Sequence, residues 1–389
     1  MTSSPTAPLK VVFADHSDEP GGAEFALLRL VKAPRAWEVT VALPPSSSEG
    51  SDVFTTGLPP DVPVIRSGPR HAARKDSGTG LGANIRLAAR ILRSGLALAA
   101  HPEVRRADVL VANTTRSSVY VAVAATALRT PFVVHIRDLI DRESIGSAAT
   151  MLMRKLVLPR AAGIIANSKA SLDTVKAFVH TDNTPVIPSP AGLQPVSAEE
   201  VDVAPEVRRI GMVARIDPWK GQEQLVRAFA QACSEGDQTL VLYGGPAFGH
   251  EEFDHALRRL ARELGIADRV KFAGHVTDVA AAIGTLDICV QASTRPEPLG
   301  QNVLQYLSAG KPTVVSGEGG PVEWVSDGEN GLVFAPRDQA SLAAALTTLI
   351  TDDELRRKLA TNAVRTPGLR TDEQVGDEVI EVLRKVVAR

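Results

Sequence analysis

Short apolar runs alternate with amphipathic stretches along this 389-residue chain, and that alternation leaves few folds open. Leu9–Ala14, Glu38–Leu43, Val64–Arg66, Val109–Asn113, Phe132–His135 and Gly163–Ala166 have the length and β-branched content of buried strands. The intervening Ala23–Lys32 and Ile85–Ala100 have helical spacing. Such alternation predicts a parallel sheet covered on both faces. The pattern pauses at Val186–Pro195, where Pro and Gly crowd together, and at an acidic patch from Ala198 to Glu206. It resumes at Arg209 with Ile210–Ala214, Gln222–Ala232, Thr239–Tyr243, Phe253–Leu264, Val270–Phe272, Val276–Ile283, Ile288–Gln291, Pro312–Val315 and Gly331–Phe334. The length also asks for more than one core. The expectation is two doubly wound α/β domains, residues 1–192 and 193–370, and a last helix from 371 to 389. Sites in such folds lie beyond the carboxyl ends of the strands, here in a crevice between the domains.

Composition narrows the function classes. Apolar residues make up 44% and charged residues 23%, as in soluble globular proteins. A net charge of −2 argues against a nucleic-acid partner. Two cysteines, Cys233 and Cys289, make neither a disulfide framework nor a metal site, and a reducing cytoplasm fits them. Met1–Pro8 reads as a disordered tail rather than a secretory leader, and no apolar run approaches the roughly 18 residues of a membrane span. Charge is uneven, however. Residues 1–200 hold 22 Lys+Arg against 18 Asp+Glu. Arg66, Arg70, Arg74, Lys75, Arg86, Arg90, Arg93, Arg105 and Arg106 crowd into one stretch. Within it Arg86, Arg90 and Arg93 share a helical face, with Ile85, Leu87, Ile91, Leu92 and Leu96 on another. A basic amphipathic helix of this kind can lie on an anionic membrane, and Met151–Leu158 is a second candidate. A packed surface helix with solvated arginines, or an anionic soluble acceptor, explains the same charges. The expected location is cytoplasmic, with peripheral contact at the inner face of the membrane.

The segment from Arg295 to Val314 is the most informative for chemistry. It reads as a loop carrying one acid, Glu297, that runs into a helix starting beside Gly300 and ending at Gly310. The helix start offers unpaired N–H groups and a positive dipole end to an anion such as a phosphate. A carboxylate beside a bound diphosphate repels it, so Glu297 is better suited to sugar hydroxyls. The pairing points to a nucleotide-sugar site.

Four blocks, in order and in the expected domains, carry a family resemblance. They are Gly21-Gly22-Ala23-Glu24, the run from Ala214 to Gly221, the Glu297 segment, and Gly319–Glu323 with Gly328–Gly331. With them the chain resembles the retaining glycosyltransferases of family 4, which have the GT-B fold: two Rossmann-like domains facing across a cleft, with a C-terminal helix returning to the first. The resemblance implies a hexosyl-type transfer from a nucleotide-diphosphate sugar to an acceptor hydroxyl, with retention. It implies no metal and no cofactor beyond the donor, and an acceptor that is a glycan, a lipid-linked sugar or a small molecule. It assigns His135, Glu297, Arg215 and Lys220 to catalysis, the two cations neutralising the leaving diphosphate. It gives the donor Gly21, Gly22, Gly244, Val276, Leu299, Gly300, Gln301, Asn302 and position 305, and the acceptor Arg137 and Asp138. Glu24 is expected to cap or pair within its own helix, and Gly319, Gly320 and Glu323 to shape the turn. One departure stands out. The family pattern is Glu-x7-Glu, and its second acid is replaced by Gln305, which cannot take both ribose hydroxyls as a carboxylate does. A sugar-nucleotide epimerase on the same fold, or a nucleotide-sugar-binding protein without transfer, remain the alternatives.

Overall fold

The computed structural model describes residues 8–18, 21–45, 53–68, 81–246 and 249–388. The tail Met1–Ala7 and the basic residues Arg70, Arg74 and Lys75 lie outside them. Contacts divide the chain into two units: Met1–Pro190 with Asp372–Arg389, and Ala191–Thr371.

The first unit is built on β1 (Leu9–Ala14), β2 (Trp37–Leu43), β3 (Val64–Arg66), β4 (Val109–Ala112), β5 (Phe132–Ile136) and β6 (Gly163–Ala166), in the order β3-β2-β1-β4-β5-β6. All pairings are parallel, with Val11 opposite Val39 on one side of β1 and Val109 on the other. Every residue of β4, β5 and β6 is buried, as strands covered on both faces must be. The helix Asp372–Val387 covers one face. Its Val375, Val379, Ile380, Val382, Leu383 and Val386 join Val11, Phe13, Val111 and Val133 in one apolar cluster, and Asn183 Nδ2 donates to the Val382 carbonyl at 3.2 Å.

The second unit repeats the plan with β7 (Arg209–Val213), β8 (Thr239–Tyr243), β9 (Val270–Gly274), β10 (Ile288–Gln291), β11 (Thr313–Ser316) and β12 (Leu332–Phe334), in the order β12-β11-β10-β7-β8-β9. In both units the order reverses beside the first strand, between β1 and β4 and between β7 and β10. Loops leaving those neighbours diverge to opposite faces and open a gap, the usual ligand position.

Three expectations are corrected locally. Val276–Ile283 is not one helix. Asp278 accepts from Ala281 N at 2.9 Å and so starts the helix at Val279, which leaves Val276 in the preceding loop. Met151–Leu158 does not present a basic amphipathic face: Met153, Val157 and Leu158 are buried. Arg154 turns inward, donating to the Ile140 carbonyl at 2.9 Å and stacking 4.5 Å from the Phe178 ring. The Leu81–Ala100 helix divides the apolar face read from its sequence. Leu98 and Ala99 are buried and Ile91 packs on the same core, while Ile85, Leu92 and Leu96 are 61%, 52% and 49% exposed. At its buried side a Cβ on Gly95 would lie 2.5 Å from Val123 of the helix Thr115–Leu128, so only glycine lets these two helices approach so closely.

Because the C-terminal helix supplies part of the first unit's core, truncating one of its side chains leaves a cavity. Leu383→Ala should cost about 2–5 kcal/mol in urea unfolding. A loss below about 0.5 kcal/mol would show that the helix is not integral to that core.

Candidate active site

In the first unit the reversal point gathers polar groups that the sequence scatters over more than 170 positions. Asp15 follows β1 and is fully buried, and Asn113 follows β4 and is fully buried. Asn113 Nδ2 donates to Asp15 Oδ2 at 2.5 Å and to the Ala23 carbonyl at 3.2 Å. Its Oδ1 accepts from Arg137 Nη2 at 3.0 Å and from Nε at 3.3 Å. These four hydrogen bonds fix which way the amide points. Arg137 Nη1 donates to Ser189 Oγ at 2.6 Å, and Nη2 also lies 3.1 Å from His135 Nδ1. A guanidinium can only donate, so His135 Nδ1 is the acceptor and Nε2 carries the ring proton. Burial, then the Arg137 charge, hold His135 well below its ordinary pKa, so the ring is neutral. His135 Nε2 is itself buried and has no partner among the described residues, which leaves a donor ready for a ligand oxygen. Thr115 Oγ1 donates to Asp138 Oδ2 at 2.7 Å.

Glu24 does more than was expected of it. Besides accepting from its own backbone N–H in the first turn of its helix, Gly22–Lys32, it is buried against Asp15, and burial followed by the Asp15 charge pushes its pKa up to about 8. His16 Nδ1 lies 3.1 Å from Asp15 Oδ1, 3.1 Å from Thr114 Oγ1 and 3.9 Å from Glu24 Oε1. Donor atoms of Asp15, His16 and Glu24 lie within 4.8 Å of one another, a set that could also hold a metal ion. Gly21 and Gly22 start this helix, and a Cβ on Gly22 would meet nothing. Its smallness is therefore not demanded by packing.

In the second unit Lys220 and Glu297 meet. Lys220 Nζ donates to Glu297 Oε1 at 2.6 Å, and Ser293 Oγ donates to the same oxygen. Glu297 is 4% exposed. Burial pushes its pKa up, but Lys220, Ser293 and Gln291 outweigh burial and hold it below the ordinary carboxylate value. The Glu297 loop is pressed from behind by Gly319 and Gly320. Gly320 N donates to the Glu297 carbonyl at 2.7 Å, and a Cβ on Gly319 would sit 2.5 Å from that same oxygen. Gly221, at φ +78°, would place a Cβ 1.7 Å from the Ala292 carbonyl, so glycine there brings Lys220 against the end of β10. Arg215 Nε donates to Asp217 Oδ2 at 3.2 Å. Arg215 and Lys220 both lie over Trp219, at 5.6 and 4.1 Å from the ring.

The helix Gln301–Ser308 begins at Gly300, which is left-handed at φ +74° and forms no side-chain cap. Asn302 is partly committed to structure: Nδ2 donates to the Val213 carbonyl at 3.3 Å. Gln305 is buried and its amide donates to the Ala191 carbonyl at 2.8 Å. Gly244, at φ +136°, allows β8 to end against Ala214, and Val276 is half-buried in the loop after β9. The structure thus brings together Lys220 with Glu297, and His135 with Arg137. Asp15, Asn113, Ser189, Gln291 and Ser293 were not singled out from the sequence. Four of them are polar residues at or just beyond the end of an apolar run, which was the available signal.

Two parallel, doubly wound units, each with charged groups at its reversal point, make a two-domain Rossmann-like architecture of GT-B type. Residues 197–366 match the family Glycosyl transferases group 1, and residues 21–192 match the Glycosyl transferase 4-like domain. The chain belongs to the group 1 glycosyl transferases of GT-B type. It is 28% identical over 251 residues to a D-inositol 3-phosphate glycosyltransferase of Stackebrandtia nassauensis, covering 60% of this chain and 56% of that one. It is 34% identical over 134 residues to the lipopolysaccharide core biosynthesis glycosyltransferase LpsE of Rhizobium meliloti, covering 34% and 39%. It therefore spans about half, or less, of the curated relatives it matches. Among solved structures, Anabaena HepE in complex with UDP-glucose superposes with a TM-score of 0.78 at 26% identity, covering 97% of this chain and all of that one. Sucrose-phosphate synthase from Thermosynechococcus elongatus shares the fold, with a TM-score of 0.75 at 19% identity.

Lys220→Met would leave the buried Glu297 carboxylate without its cation and should destabilise the protein by about 3–5 kcal/mol near neutral pH. The sign with pH follows from a lowered carboxylate pKa. The Glu297 contribution is present above about pH 4.5 and is lost as pH falls through the native value. Unfolding curves of both proteins between pH 3 and 7 should therefore converge at the acid end. Equal stability at pH 7 would overturn the pairing.

Proposed function

We propose that this chain transfers a hexose from a nucleoside diphosphate donor to an acceptor hydroxyl, with retention and without a metal. The observation that carries the proposal is the Lys220–Glu297–Ser293 cluster at the β7/β10 reversal, beside the uncapped helix start at Gly300. Arg215 and Lys220 supply two cations for the diphosphate, and backbone amides from Leu299 to Asn302 supply donors at the positive end of the helix. Glu297 faces the donor sugar hydroxyls and offsets the charge of Lys220 before the donor arrives. Gly244 and Val276 flank the base. The donor nucleotide tested first is UDP, because HepE was solved with UDP and with UDP-glucose.

The step proposed is a front-face displacement. The bond from the anomeric carbon to the diphosphate breaks, the acceptor oxygen forms its bond on the same face, and the acceptor proton passes to the departing phosphate. Arg215, Lys220 and the Leu299–Asn302 amides stabilise the charge that develops on that phosphate. The His135 Nε2–H donates to a hydroxyl oxygen of the sugar. Arg137 orients that ring, and Asp138 serves the acceptor. Gln305, with its amide engaged by Ala191, offers the ribose fewer acceptors than a carboxylate would, so discrimination between ribose and deoxyribose should be weak.

An acceptor with an anionic group fits the basic character of the first half of the chain. Its exposed Ile85, Leu92 and Leu96 beside Arg86, Arg90 and Arg93 favour an acceptor held in an anionic bilayer. Among the described residues no helix is long and apolar enough to cross a membrane, so this contact would be peripheral.

With EDTA present, UDP at about 100 times its dissociation constant should add roughly 2.7 kcal/mol to stability. Lys220→Ala should abolish both that shift and sugar transfer. A shift that needs Mg²⁺, or near-normal turnover in Lys220→Ala, would sink the metal-independent assignment, and product without acceptor would indicate an epimerase. Leu92→Glu should weaken co-sedimentation with phosphatidylglycerol vesicles at least tenfold. Unchanged co-sedimentation would leave a soluble anionic acceptor.

A further inference from the structure

Among the described residues, Arg129 and Arg337 hold a left-handed backbone without being glycine, Arg337 at φ +63°. Arg129 ends the helix Thr115–Leu128, a position where helices commonly turn left-handed. Arg337 ends no helix. It stands in the turn between β12 and the helix Gln339–Thr351, which Asp338 caps by accepting from Ser341 N at 3.0 Å. Arg337 Nη1 donates to the Thr294 carbonyl at 3.0 Å and to Glu318 Oε1 at 2.6 Å. Those partners lie on two different loops, after β10 and after β11.

Both loops bear on Glu297. Thr294 follows Ser293, whose hydroxyl donates to Glu297 Oε1, and Thr294 N donates to the Trp219 carbonyl at 2.8 Å. Thr294 is therefore held through its N–H by the loop that carries Lys220, and through its carbonyl by Arg337. Glu318 precedes Gly319, which pairs with Glu297 in a parallel bridge, and Gly320, whose N–H donates to the Glu297 carbonyl. Arg337 joins the two loops from outside. An ion pair as exposed as Arg337–Glu318 adds little stability, and glycine would take this backbone conformation without strain. Stability alone does not account for an arginine here, whereas placement of the Glu297 loop does.

We propose that Arg337 is a positioning residue for Glu297: it clamps the loop after β10 to the loop after β11 and so fixes the carboxylate against the hydroxyls of the donor sugar. The inference rests on the role given to Glu297 above. The clamp acts on the sugar end of the site. The groups assigned to the diphosphate are held by other contacts, Arg215 by Asp217 and Lys220 by the Trp219 ring. Loosening the clamp therefore weakens the grip on the sugar and on the transition state, and leaves the grip on the nucleotide in place.

The test compares the full chain with Arg337→Gly, Arg337→Lys and Glu318→Gln. Amide hydrogen exchange reads the clamp directly. In Arg337→Gly the Thr294 and Gly320 amides should exchange about tenfold faster or more, while the Leu225 amide in the helix Gln222–Ala232 keeps its rate. Glu318→Gln should speed the same two amides to a lesser degree, which judges the clamp even if Arg337→Gly does not fold. Where both fold, the double variant should exchange no faster than Arg337→Gly alone.

Function is read by separating nucleotide from sugar. In calorimetry the UDP affinity of Arg337→Gly should match that of the wild type. The ratio of UDP-glucose affinity to UDP affinity, and kcat, should each fall about tenfold or more. Arg337→Lys, whose ammonium can donate to the Thr294 carbonyl and pair with Glu318, should recover part of the lost kcat. Unchanged exchange at Thr294 and Gly320 would overturn the clamp. Faster exchange with an equal loss of UDP and UDP-glucose affinity, or with an unchanged kcat, would overturn the positioning role. A chain that transfers no sugar would fail the functional reading, while the exchange results would still judge the clamp.

Discussion

The reversal of strand order beside β1 and beside β7 is the constraint on which the rest depends. A parallel sheet buried on both faces cannot expose chemistry along its strands, so polar side chains collect where the strands end. At most of those ends the next helix crosses over immediately. Only where neighbouring connections leave to opposite faces does room remain. Asp15 with Asn113, and Lys220 with Ser293 and Glu297, occupy the loops beside those two points. Charges that would be expensive elsewhere in the core are tolerated there because each finds its partner on the adjacent loop.

Much of this was legible in the sequence, for a physical reason. β1, β3, β6, β8 and β10 begin and end where the sequence places them, because each is a short, mainly apolar run, with single polar residues such as Lys10, Arg66, Thr239 and Gln291 inside or at its ends. Where the expected limits moved, a local hydrogen bond moved them, as Asp278 did for the helix at Val279. The residue types of the site were also readable, because Lys220 and Glu297 each stand shortly before a glycine, Gly221 and Gly300, that opens the next helix. What sequence could not give was pairing. Lys220 and Glu297 are 77 positions apart, and nothing local says that the ammonium folds onto the carboxylate rather than toward solvent. The second contact of Glu24 was hidden for a similar reason. In the first turn of a helix an acid serves the helix, as Glu24 does through its own N–H, and only the fold shows that Asp15 lies beside it.

The two charge clusters solve opposite problems. Lys220 and Glu297 neutralise each other, and Arg215 is held by Asp217, so the charged groups at this reversal point are paired with one another. A diphosphate entering there does not meet two bare cations. In the transfer proposed above it competes with two carboxylates for them, and its advantage is the helix N-terminus at Gly300, whose cap residue brings no side chain of its own. On that same proposal, binding energy gained at the backbone would draw Lys220 partly away from Glu297 and free that carboxylate for sugar hydroxyls. A nucleotide without the sugar would then leave Glu297 buried with a weakened partner, so the proposed site would hold the complete nucleotide sugar more tightly than the nucleotide that remains after transfer.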